Sequence, residues 1–192
     1  MKKVTLFVVM AFVAFAMTSC ENKEAKKKAI LAEVETYFSN AEQKMAEINN
    51  AEDFIAFYDD FNAGQSAFLE SLYAKFPIDE NEKFKGFTDE EDKEINTAIY
   101  DRATDFNNKT AEKCAEYLTP RIDNFEIATK QALEEFNANG QISDETKDQV
   151  GRAYEEIMLF SDFDNVPTEL QDRFAAITSE LETITVEKET EE

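Results

Sequence analysis

Apolar residues recur along this chain at three- and four-residue steps rather than at every second position, the period of helices and not of strands. Ile30, Val34, Tyr37, Phe38, Ala41, Met45 and Ile48 form one such stripe, which predicts a first helix over about 24–48. Asn49-Asn50 breaks it and offers a cap to a second helix over about 51–75, with Phe54, Tyr58, Phe61, Phe68, Leu72 and Phe76 on its apolar face. Gly64 lies near the middle of that helix, where glycine costs about 1 kcal/mol relative to alanine, so a kink or break is expected at Asn62-Ala63-Gly64. Pro77 ends the pattern, and Ile78 to Phe87 reads as a charged connection holding two aromatics, Phe84 and Phe87.

Thr88-Asp89-Glu90-Glu91 has the form of a capping box, in which Thr88 caps a third helix and Glu91 reaches back to it. Ile95, Ile99, Ala103, Phe106, Cys114 and Leu118 make its stripe. Thr119-Pro120 either kinks this helix or caps a fourth, because proline suits a first turn and not an interior. Ile122, Phe125, Ala128 or Ala132, and Phe136 carry the period to a stop at Asn139-Gly140. Ser143 is the expected cap of the next helix, with Asp144 and Glu145 in its first turn and Val150, Tyr154, Ile157, Met158 and Phe160 as its apolar set. Residues 161–166 read as a loop and Pro167 as the first position of a last helix. In that helix Leu170, Phe174, Ile177, Leu181 and Ile184 keep a 4-3-4-3 spacing. Only 4 glycines and 3 prolines occur in 192 residues, too few turn-formers for a many-stranded sheet. The expected fold is all-α, an antiparallel bundle of five or six amphipathic helices.

The first twenty residues follow a different rule. Met1-Lys2-Lys3 precedes an almost unbroken apolar run from Val4 to Met17, and small polar residues follow. A charged start, a short apolar stretch and a small-residue cleavage site describe a secretory signal peptide. The run is too short for a spanning helix, which takes about 20 apolar residues. Met17-Thr18-Ser19-Cys20 resembles the lipobox of bacterial lipoproteins, with Met17 in place of the commoner leucine. The resemblance covers only this segment. It implies removal of residues 1–19, a diacylglycerol on the Cys20 thiol, acylation of the new amino group with fatty acid such as palmitate, and residence at a membrane of the cell envelope. The outer membrane of a Gram-negative bacterium is the expected address. Glu21 and Glu24 are the only acidic residues close behind Cys20, which leaves periplasm-facing and outward-facing placements open. On this reading residues 20–28 are the lipidated cysteine and a polar tether, 29–185 the helical domain and 186–192 an acidic, frayed tail. Lys26, Lys27 and Lys28 are candidates to touch anionic headgroups.

Charge and absent residues narrow the function. Lys and Arg number 20 and Asp and Glu 42, and loss of the signal peptide removes two of the lysines. So anionic a chain repels nucleic acid and bare anionic membrane and favours cations and basic partners, another envelope protein among them. Beyond Cys20 the single cysteine is Cys114, expected to be a buried, inert thiol with no disulfide partner. There is no histidine, which removes His-based triads and most transition-metal sites, and no phosphate-binding glycine loop or nucleophile elbow occurs. No catalytic residue is singled out, and no cofactor is expected. Calcium is the best candidate ion, with oxygen-rich loops at Asp79-Glu80-Asn81-Glu82 and Asp162-Phe163-Asp164-Asn165, although neither has EF-hand spacing. The expected function is a non-enzymatic binding or structural module. Two other readings stay open: a carboxylate-only enzyme, which needs an acidic side chain desolvated in a pocket, and a bundle holding a small apolar ligand, which needs an internal cavity. Phe84 and Phe87 form either an apolar recognition patch or a plug over the end of the bundle, and the triplet Asn108-Lys109-Thr110 falls inside a predicted helix.

Overall fold

The structure, a computed structural model, describes residues 23–189, with side chains through residue 184. These residues form five helices: α1 Lys23–Ala46, α2 Ala51–Lys75, α3 Asp89–Asn139, α4 Asp144–Met158 and α5 Thr168–Glu189. Among the described residues no β-strand forms, and the single isolated bridge joins Ile78 to Phe84 in the α2–α3 connection. The signal segment and Cys20 lie outside the described residues.

The helix ends are written in the local sequence. The Asn50 side chain accepts from the Asp53 amide at 2.8 Å and starts α2. Thr88 and Glu91 close the capping box of α3, with bonds of 3.3 and 2.7 Å. Gly140 ends that helix in the left-handed region at φ 67°, its amide on the Phe136 carbonyl at 2.7 Å. Ser143 caps α4 through the Thr146 amide. Pro167 stands one place before α5 rather than in its first turn, and its carbonyl accepts from Leu170 and Gln171.

No break occurs at either expected interruption, and the alternative of a new helix at Pro120 is excluded. α2 runs unbroken through Gly64, and α3 runs through Pro120 as one helix of 51 residues, about 77 Å long at 1.5 Å per residue. Pro120 cannot donate to the carbonyl of Glu116, but both residues are exposed, so water can serve that oxygen. One turn on, Arg121 donates from Nη1 to the Tyr117 carbonyl at 2.8 Å and steadies the backbone beside the proline. A second register of packing begins nowhere near Pro120, since Cys114, Tyr117, Leu118, Ile122 and Phe125 are buried in one continuous cluster.

Contacts along α3 give the helix directions. Lys23–Glu91, Lys27–Glu94 and Glu35–Arg102 ion pairs, at 2.7–2.8 Å, climb α1 and α3 together, so these two run the same way. α2 returns against them, with Lys75 on Glu33 at one end and Phe61 against Phe38 and Phe106 further along. Beyond Cys114, α4 runs back along α3, with Thr146 near Glu135 and Tyr154 against Phe125. α5 runs forward, with Arg173 on Asp123 and Glu126. One core therefore gathers α1, α2 and the first half of α3 around Ile30, Val34, Ile95 and Phe106. The other gathers α4, α5 and the second half of α3 around Phe125, Ile157 and Ile177, and also takes in Met45, Phe54 and Tyr58 from α1 and α2.

The loop after α4 makes that connection. Phe163 is 7% exposed and packs against Phe54 and Tyr58 with ring centroids 5.3 and 4.1 Å away. Asn165 donates to the Tyr58 hydroxyl at 3.1 Å. Tyr154 and Met158, expected in the core, are each 40% exposed, and the inner face of α4 is Thr146, Val150, Ala153 and Ile157. α5 extends into the expected tail as far as Glu189.

Candidate functional site

Cys20, the one residue for which the sequence gives an expected chemical fate, lies outside the described residues, and the described chain nearest it in sequence is the start of α1. That helix starts at Lys23, three positions after Cys20. Lys23 pairs with Glu91 at 2.8 Å and Lys27 with Glu94 at 2.7 Å. Lys26 donates to the Lys85 carbonyl at 2.5 Å and stands 5.3 Å over the Phe87 ring, and burial lowers its pKa. The first turns of α1 are therefore packed against α3 and the α2–α3 connection, and of the three tether lysines only Lys28 is exposed without a bond to protein.

The connection itself is a tight, internally bonded loop. The Asp79 carboxylate accepts from the Asn81 and Lys83 amides at 2.8 and 3.1 Å, and the Lys83 bond, then the Asn81 bond, hold its pKa below the usual range. Glu82 takes φ 62° and Gly86 φ 93° to close the turn. Phe84 is 3% exposed, and its amide donates to the buried Asp92 carboxylate at 2.9 Å. The other Asp92 oxygen accepts from Asn96 at 2.8 Å. Phe84 is thus a plug in the end of the first core and not an exposed recognition residue, and Phe87 is half-covered by Lys26.

The two oxygen-rich loops have other uses. Asp79 organises its own turn, and the loop over 162–165 is held by Phe163 and Asn165. Among the described residues no group of three or more Cys, Asp or Glu side chains is gathered so as to hold a metal ion. Cys114 is fully buried and its thiol is pushed up to about 12 by that burial, so it stays protonated and unreactive. Thr110, of the Asn108-Lys109-Thr110 triplet, is also fully buried.

The densest polar contact between elements centres on Arg102, whose side chain is 15% exposed. Its guanidinium bonds Glu35 at 2.8 Å and Glu42 at 2.7 Å across the α1–α3 seam, reaches Asp105 at 3.5 Å, and lies 5.3 Å from the Phe38 ring. Lys109 adds bonds to Glu42 and Asp105. Beside this network an open groove runs between Leu31 and Ala32 of α1 and Ala98 and Asp101 of α3, and a second groove continues over Glu90, Lys93 and Thr97. Both are open to solvent and lined by short or charged side chains. Neither is the enclosed apolar chamber that a small hydrophobic ligand needs.

Among the described residues the acidic side chains whose ionisation is displaced are all pushed down. Hydrogen bonds from Ser39 and then Arg102 do this for Glu35. Lys130 and then Arg173 hold Glu126 to about 2, and Thr146 with Ser143 holds Glu135 to about 2. A general acid or base near neutral pH needs the opposite displacement. Periodicity did not reveal Arg102, Asp92, Glu135 or Phe163. Their partners lie up to 109 positions away, and only the local pairs, such as Arg102 with Asp105, have a sequence signature.

No family model, curated protein or solved structure matches this chain. Among the described residues no helix is long and apolar enough to cross a membrane.

Proposed function

We propose that this chain is a lipid-anchored, acidic helical lipoprotein of the bacterial cell envelope, acting as a non-enzymatic binding or structural module. The observation that carries the reading is the Met17-Thr18-Ser19-Cys20 sequence, standing where an apolar run ends and charged chain begins. At about 0.8 kcal/mol per buried CH₂, two or three acyl chains on Cys20 make a stable anchor that needs no spanning helix. The two helical packings that share α3 are then held near the membrane, presenting an anionic surface to a basic envelope protein or a cationic ligand.

The open grooves and the downward-shifted carboxylates give less support to an apolar-ligand carrier or a carboxylate enzyme. The test is acylation. Cells fed labelled palmitate are expected to yield a labelled protein that partitions into detergent, with Cys20→Ala losing the label and the partitioning together. Unlabelled, water-soluble native protein would sink the anchoring reading.

A further inference from the structure

The anchor, the helix start and the charge distribution bear on how the molecule stands. Glu21 and Asn22 alone separate Cys20 from Lys23, and three fully extended steps span about 11 Å at most. The start of α1 shares its end of the molecule with the α2–α3 connection, through Lys26 on Lys85 and Lys23 on Glu91. The opposite tip, at Gly140, lies at the other end of α3, whose length along its axis is about 77 Å.

Charge is distributed unevenly between those ends. Residues 23–28 and 75–94, which make the near end, hold eight lysines against nine acidic residues. The rest of the described residues hold ten basic residues against thirty acidic ones. Among the described residues Lys28, Lys85 and Lys93 are exposed at the near end with no carboxylate bonded to them, Lys28 and Lys85 on the start of α1 and the α2–α3 connection and Lys93 on α3. Electrostatic repulsion acts within about 8 Å of a surface at physiological ionic strength. A rod lying flat would bring its most acidic part into that layer over an anionic bilayer, while a rod standing on its near end keeps that part out.

We propose that the start of α1 and the α2–α3 connection form a foot that rests on anionic lipid headgroups through Lys28 and Lys85, and that the bundle stands outward from the bilayer. This rests on the anchoring reading above. The foot carries the lipid contact, and the acidic distal half, with the α3–α4 turn at its tip, is the part offered to a partner.

The lipidated full-length protein, bearing a fluorophore on Asn81→Cys or on Gln141→Cys, is reconstituted into phosphatidylethanolamine and phosphatidylglycerol vesicles containing a headgroup nitroxide lipid. Protein without an added cysteine controls for Cys114. Flotation with the vesicles is scored first, and protein that does not float overturns both the anchor and the foot. For protein that floats, the label at Asn81 is expected to lose most of its emission and the label at Gln141 almost none. Equal losses, or a greater loss at Gln141, overturn the foot and leave the anchor standing. Lys28→Glu with Lys85→Glu is expected to restore part of the Asn81 emission on these vesicles and to change nothing on uncharged phosphatidylcholine. Emission unchanged on both would remove the two lysines from the proposal.

Discussion

Arg102, itself largely covered, joins Glu35 and Glu42 of α1 to α3, and the half-exposed Asp105 and Lys109 extend the network. Isolated surface pairs contribute little, but a planar fork shared between two carboxylates and backed by the Phe38 ring is better placed. Arg102→Gln leaves those carboxylates facing one another. It is expected to cost roughly 1 kcal/mol, read as a lower urea midpoint with an unchanged slope. Glu135 accepts from the Ser143 amide and the Thr146 hydroxyl at 2.9 and 2.6 Å and fastens α3 to the first turn of α4. Its pKa is lowered from 4.5 to about 2 in the folded chain. A depressed folded value means that its contribution is present above the unfolded pKa and is lost as pH falls from about 4.5 towards 2. Urea midpoints measured through that window are expected to fall less steeply for Glu135→Gln than for the native chain. Parallel curves would exclude Glu135 from the acid response.

At the scale of elements, α2 and α3 are each continuous across a residue that disfavours helix. A Cβ at Gly64 would meet only the Tyr37 hydroxyl, 4.0 Å away, so Gly64→Ala is expected to stabilise the protein by about 0.5–1 kcal/mol in thermal unfolding. Pro120→Ala restores a donor for the Glu116 carbonyl at an exposed position. The expected gain is about 1–3 kcal/mol, with far-UV circular dichroism unchanged in shape. A loss on Pro120→Ala would mean that the proline sets a bend on which the packing of α4 and α5 depends. The proline was legible in the sequence as a choice between a kink and a new helix. The continuous helix excludes a new start there, and the buried positions before and after Pro120 share one cluster.

At the scale of the whole molecule, the described residues form two three-helix packings sharing α3, joined where Phe163 enters between Phe54 and Tyr58. Phe163→Ala opens that joint and is expected to cost about 3–5 kcal/mol. Hydrogen exchange is expected to show the larger loss of protection in α2 and α5 rather than in the distal turns of α3 and α4. Helical content, the helix caps and most core positions were readable from the chain, because capping and 3.6-residue periodicity involve neighbours within one or two turns. The stripes of α1 and α5 in particular map onto buried or half-buried residues throughout. Less was legible of the sites. The α2–α3 connection left Phe84 and Phe87 as either a recognition patch or a plug, and it took Asp92 drawing in the Phe84 amide and Lys26 covering Phe87 to give the plug. The loop over 162–165 looked like a cluster of oxygen ligands, yet its phenylalanine is core.

The sequence alone determined the all-helical class, the start of α3 at Thr88, its end at Gly140 and the net negative charge. The expectation of a lipid on Cys20 also rests on it alone. Each follows from residues close together in the chain or from composition, where no distant partner is needed. Tertiary structure decided that α3 is one rod, that the first lysines of α1 are already engaged with protein, that Phe84 and Phe163 are interior, and that Arg102 joins α1 to α3. Those outcomes depend on side chains tens of residues apart, whose pairing is chosen by which apolar surfaces can be buried together, and no local pattern encodes that choice.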